Sequence, residues 1–227
     1  MEEQVIQEAA SGSFYTSLNG MLEFFQAGGI FMWIILVIWG FGIAISIDRF
    51  LKLSFKFDVD GASFMNELQR FILSGDIQGA IRVCSGSAAA LPKVLKSGLK
   101  RAESNPEQIQ NAIDATALEV IPKVELRLNY LQLIANISTL FGLLGTIQGL
   151  IQSFSAISTA DPTEKANILA AGISQAMNTT FLGLLAAISI MMLHTYLSSK
   201  SEKIVNEIDE FSVKLIDMLG TKKVSDE

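Results

Sequence analysis

The chain has 227 residues, half of them hydrophobic, with a mean hydropathy of +0.40 and a formal net charge of −6. This excludes an ordinary soluble domain, which does not carry so much apolar surface, and no basic run carries the interleaved aromatics that nucleic-acid binding would need. A single cysteine, Cys84, excludes an internal disulfide framework; in the polar part of the chain it reads as a small buried residue in a reducing compartment.

The charges are segregated. Residues 28–47 carry none, nor do residues 128–160, and in 166–199 the only side chain that can take a charge near neutral pH is His194. A bilayer core needs about 20 apolar residues per helix, so each stretch is long enough to cross. The expected fold class is an all-α integral membrane protein with three transmembrane helices and long cytoplasmic helical extensions. The expected division is 1–27 periplasmic segment, 28–47 first span, 48–128 cytoplasmic helical region, 129–157 second span, 158–165 short periplasmic loop, 166–199 third span and 200–227 cytoplasmic tail. Lys and Arg set this orientation: residues 1–28 have none, 48–128 have eleven, the short loop has only Lys165 and the tail has five.

In chain order, residues 1–27 lead through an amphipathic stretch at 14–25 into the first span. Acidic Glu2, Glu3, Glu8 and Glu23 precede that span instead of a basic region, and no small-residue cleavage pattern follows Ile47. It reads as a retained helix, not a signal peptide. Trp33 is a candidate interface anchor, and Trp39, near mid-span, is expected to pack against protein or lipid. Asp48 and Arg49 end the span at the interface.

The polar region reads as helical hairpins. Phe64, Leu68, Phe71 and Ile72 recur at helical spacing. Ser74, Gly75 and Asp76 form a break, with Asp76 capping a helix over 77–84. A second break at 85–87 precedes a helix over 89–103, with Pro92 in its first turn. Pro106 then opens a helix expected to run without a stop to about residue 157, kinked at Pro122. In the tail, Ile204, Ile208, Phe211, Leu215 and Met218 form one stripe, expected to continue the third span and pack on the polar helices, with a separate partner-binding helix as the alternative.

The second and third spans carry the chemistry. Ser138, Gly142, Gly145, Gly149 and Gln152 advance by four and three, with Thr139, Thr146 and Ser153 beside them. Gly145 and Gly149 have the spacing that lets helix backbones approach closely. In the third span Gly172, Gln175, Thr179 and Gly183 share a face, flanked by Ala176, Asn178 and Thr180. Amides and hydroxyls in lipid are costly without partners. These faces therefore meet each other, a partner helix or a wet pore. Gly142, Gly145, Gly149 and Gly183 are the packing candidates, and Gln175, Asn178, Thr179 and Thr180 the pore or partner candidates.

Residues 141–154 (FGLLGTIQGLIQSF) and 172–187 (GISQAMNTTFLGLLAA) resemble the helix-two and helix-three signatures of the MotA/TolQ/ExbB proton channel family. Residues 25–51 and 74–102 are similar to its first helix and cytoplasmic hairpin, and the topology matches the three-helix TolQ/ExbB branch. The resemblance implies a homo-pentameric ring in the bacterial inner membrane around a pair of single-span TolR/ExbD-like partners. The partner brings an aspartate into the ring, and H+ or Na+ crosses on it without a cofactor. By position, Thr146 and Thr180 match the family's pore-lining threonines.

Two positions depart from the pattern. Gln175 stands where the proton-driven members commonly have glutamate, so the ring offers no acid of its own there. Neutral oxygens from Gln175, Asn178, Thr179, Thr180 and Thr146 with a partner aspartate would suit sodium; a proton path through the aspartate and water is the other possibility. Ser189 stands where relatives often have proline, which should leave the third helix straighter. His194 reads as an interfacial histidine or a proton relay. With no nucleophile–base or metal-ligand constellation, the chain is not read as an enzyme. A non-conducting scaffold of the same fold is the alternative function, and a small transporter is disfavoured because no inverted repeat or broken helix is evident.

Overall fold

The computed structural model describes residues 20, 24–26 and 28–225, so most of the amphipathic stretch at 14–25, with Glu23, lies outside the described residues. The described residues are helical, with no strand among them: α1 (Ile30–Leu51), a π-helical turn (Lys52–Phe57), α2 (Gly61–Leu73), α3 (Ile77–Gly86), α4 (Ala90–Leu99), α5 (Pro106–Glu125), α6 (Leu128–Thr159) and α7 (Lys165–Ser225). Three helical stretches are long and apolar enough to cross a membrane, within Ile30–Leu73, Pro106–Thr159 and Lys165–Thr221. This is a membrane protein.

The chain forms two compact units. The first combines Met1–Ala44 with Tyr130–Met192 and contains most of α1, α6 and the first part of α7. Its side chains are largely apolar on every face, and large residues such as Val37, Phe41, Leu140, Phe154 and Met192 stay exposed, as expected where the solvent is lipid. Met32 and Ile35 of α1 pack on Leu182 and Ala186 of α7, and Phe31 sits 6.3 Å from Phe141 of α6.

The second unit, Ile45–Asn129 with Leu193–Glu227, has a conventional core. Asp76 caps α3 by accepting the Gly79 N–H at 2.7 Å, as expected. Pro106 stands in the first turn of α5, where its missing N–H costs nothing. The tail stripe continues α7 without a break. Ile204, Ile208, Phe211 and Leu215 are buried in one cluster with Phe64, Leu68 and Ile72 of α2 and Val94, Leu95 and Leu99 of α4, and Met218 packs at its edge. The tail is thus part of this core and not a detached helix. α4 stops at Leu99, four residues short of the expected end.

One expectation is corrected. The helix that opens at Pro106 does not run without a stop to the end of the second span. α5 continues past Pro122 to Glu125; Leu126 then leaves helical geometry and Arg127 adopts a left-handed φ of +66° before α6 begins at Leu128. The carbonyl that loses its donor to Pro122 belongs to Leu118, which is 77% exposed, so it is not stranded in a core and the helix survives.

The core makes two predictions. Leu95, fully buried, should cost about 2–5 kcal/mol as Leu95→Ala, seen as a lowered unfolding midpoint of the purified protein. Burial pushes the Cys84 thiol up to about 11, so at pH 8 only on the order of one thiol in a thousand is ionised. Maleimide labelling of Cys84 should be slow in the folded protein at that pH and fast in denaturant.

Candidate functional site: the α6–α7 seam

The seam is built from missing side chains. A Cβ at Gly183 would lie 2.8 Å from both Gly142 Cα and Ser138 O, and a Cβ at Gly149 would lie 3.0 Å from Gly172 O. These neighbours are backbone and cannot move aside. Gly172 has no room for a Cβ against the Ser153 side chain. Contact at this distance replaces lipid with dense backbone packing and weak Cα–H···O bonds, the forces available where no water is expelled. The four glycines expected to pack the spans, Gly142, Gly145, Gly149 and Gly183, all lie on it.

The hydroxyls along the seam satisfy themselves. Ser138 donates to Ile134 O at 2.9 Å, Ser153 to Gly149 O at 3.0 Å and Thr139 to Ala135 O at 3.3 Å, so each reaches its own helix one turn back. Thr179 is fully buried, donates to Ala176 O at 2.9 Å, and fills the space left by Gly145, where a Cβ would lie 2.5 Å from its Oγ1. Of the five expected pore residues, Thr179 is therefore a seam residue in this chain.

Thr180 and Thr146 bond to adjacent carbonyls of α6. Thr180 Oγ1 donates to Gly142 O of α6 at 3.3 Å and shares its proton with Ala176 O at 3.2 Å. Thr146, one turn beyond Gly142, donates to the next carbonyl, Leu143 O, at 2.6 Å. Both hydroxyl protons are committed to carbonyls, Thr180's mostly within the protein. The lone pairs of both oxygens are left as acceptors, and both side chains are partly exposed. A pair of acceptors can receive a cation, its water or the O–H of a protonated carboxyl.

Gln175 and Asn178 lie elsewhere. Successive helical residues project about 100° apart, so Asn178 and Thr180 leave α7 on opposite sides of the buried Thr179. Asn178 shares its side with Leu182, one turn on, which packs against Met32 and Ile35 of α1. Gln175 points the same way: a Cβ at Gly29 would lie 2.6 Å from Gln175 Nε2. Gly29, with φ +71°, sits before α1 in a left-handed conformation that favours glycine, and the Gln175 amide lies against it. Gln175 also borders an open groove of about 500 Å³ with Gln152, Ser153 and Ser174. The neutral-oxygen cluster read from the sequence is thus divided between two sides of α7.

One contact was not foreseen. Trp39 Nε1 donates to Ser189 Oγ at 2.8 Å, and Ser189 donates onward to Ala186 O at 2.9 Å. The Ser189 hydroxyl joins α1 to α7, and α7 runs unbroken through it. A mid-span tryptophan and a mid-span serine, each needing a partner in lipid, were the available signal, but 150 residues separate them. Trp33 stacks at 5.7 Å on Phe25, and His194 is half-buried on α7.

Residues 87–210, more than half of the chain and all of the seam, match the sequence profile of the MotA/TolQ/ExbB proton channel family. The chain belongs to that family. Among its relatives is a protein of Methanothermobacter thermautotrophicus named as a homolog of the biopolymer transport protein ExbB, 24% identical over 83% of this chain and 67% of its own length. The Tol-Pal system protein TolQ of Haemophilus influenzae is 35% identical over 42% of this chain and 43% of its own. The biopolymer transport protein exbB1 of Vibrio cholerae is 46% identical over 27% of each. This is a family of channels, not of enzymes. Among the described residues, no group of His, Cys, Asp and Glu could hold a metal ion.

The seam geometry sets a paired test. Gly183→Ala should lower the unfolding midpoint and the membrane level of the protein sharply, because its Cβ meets two backbone atoms. Gly40→Ala, where nothing lies within 4 Å, should leave both unchanged.

Proposed function

We propose that this chain is the ring subunit of an ion-driven motor in a bacterial inner membrane. Five copies surround a single-span TolR/ExbD-like partner, with the N-terminus periplasmic and the C-terminus cytoplasmic. Membership of the proton channel family supports the reading, as does the Lys/Arg excess between the first two spans. The observation that carries it is the two threonines: Thr146 and Thr180 give their protons to the adjacent carbonyls of Leu143 and Gly142, and both side chains stay partly exposed.

The ion-bearing carboxyl comes from the partner, because the spans that carry the two threonines, residues 128–160 and 166–199, contain no acid. A partner aspartate that is protonated, or carries a sodium ion, is received by the two acceptors; as it ionises, they release it. One charge falling through 100 mV yields about 2.3 kcal/mol, the scale of one or two hydrogen bonds. A site of two threonine oxygens is therefore shallow enough for the ion to leave. Gln175 and Asn178 serve the α1 side, Gln175 by holding the turn at Gly29.

The test is ion flux. The protein is co-purified with its single-span partner and reconstituted in liposomes, and sodium and proton uptake are recorded under an imposed potential. Thr146→Val and Thr180→Val should each reduce uptake by about tenfold or more, the worth of one lost hydrogen bond, with the complex intact. Proton uptake indifferent to sodium identifies a proton motor; uptake requiring sodium identifies a sodium motor. An intact complex with no flux of either ion favours the scaffold.

A further inference from the structure

We propose that Lys52 and Arg127 bind the phosphate of an anionic membrane lipid where α1 leaves the bilayer. Lys52 Nζ lies 2.8 Å from Asp48 Oδ1, and Arg49 and Arg127 reach Asp48 Oδ2 at 3.5 and 3.7 Å. One carboxylate thus serves three cations. Arg49 is 2% exposed and its Nε has no partner, so its buried charge also needs the Asp48 carboxylate, burial making an uncompensated charge costly. Lys52 and Arg127 are 42% and 51% exposed and carry the surplus positive charge outward.

The backbone supports the same site. Arg127 holds a left-handed φ of +66°, a conformation that costs a side-chain-bearing residue about 1–2 kcal/mol and that usually falls to glycine after a helix. An arginine here needs an offsetting contact, and the ion pair of its Nη1 with Asp48 supplies one. Arg127 and Lys52 thus converge on the same carboxylate. A guanidinium and an ammonium together suit a phosphate, which accepts both a fork and a point charge.

The surroundings select a lipid over a free anion. The charge-free stretch of α1 ends at Asp48, which sets the cluster at headgroup level. Phe50 and Tyr196 stack at 6.1 Å with 44% and 54% of their surfaces exposed. Leu51 and Leu126 are each 50% exposed. Cationic donors beside uncovered apolar side chains match a phosphate joined to acyl chains; inorganic phosphate has no use for the apolar part.

The experiment counts bound lipid. The full-length protein is reconstituted with equal phosphatidylglycerol and phosphatidylcholine, extracted, and examined by native mass spectrometry. Wild type should retain phosphatidylglycerol in preference to phosphatidylcholine. Lys52→Gln with Arg127→Gln should lose that retention by about tenfold or more, the effect of removing charge-assisted hydrogen bonds of this strength. Lys93→Gln, a cation of the same unit paired with Glu119, should not. If the Arg127→Gln protein fails to fold, Arg127→Gly, suited to the left-handed backbone, replaces it with the same expectation. Equal retention by the double variant, or no preference in wild type, overturns the site. Displacement of the lipid by millimolar inorganic phosphate shows a phosphate site without lipid selectivity and also overturns it.

Discussion

The approach of two backbones at Gly142 and Gly183 is the constraint from which the membrane unit follows. Because α6 and α7 meet there without side chains, the phase of each helix is fixed. Gly145 must face Thr179, Gly149 must face Gly172, and the Thr180 hydroxyl arrives at the Gly142 carbonyl. On the far side of α7, Leu182, Ala186 and Ser189 turn toward α1. The placing of the threonines is a by-product of the seam: Thr180 of α7 reaches the Gly142 carbonyl, and Thr146 stands one turn from Gly142 on the same face of α6.

Lipid accounts for what the hydroxyls do next. In water a threonine can leave its proton to solvent; in a bilayer it gives it to the nearest carbonyl. That choice polarises each side chain into an acceptor. A ring lined this way has no fixed charge to trap an ion, and the titrating group can come from another chain. The glutamine at 175 fits the same economy, since a neutral amide can rest against Gly29 without a counter-charge.

Much of this was legible from residue order. The charge-free stretches located the spans, Asp76 and Pro106 marked helix starts, and the stripe from Ile204 to Leu215 announced its burial. Periodicity within one helix says which residues share a side, but not what that side faces. Gln175 and Thr179 share a face by spacing, yet the seam and α1 divide it between them. The stop before the second span was missed for a related reason: proline is a visible breaker, whereas the left-handed Arg127 is paired with a residue 79 positions earlier. The Trp39–Ser189 bond was hidden in the same way, since neither residue signals the other.

Side chains relax by changing rotamer, and the seam has almost none to change. Two helices in backbone contact cannot slide past one another by small repacking steps, as leucine-faced helices can. Sliding would have to lift one backbone over another. Mechanically, α6 and α7 within the membrane unit form a single stiff spar. A load applied to one is carried by both, and whatever compliance a working assembly needs must come from the side-chain contacts around this pair.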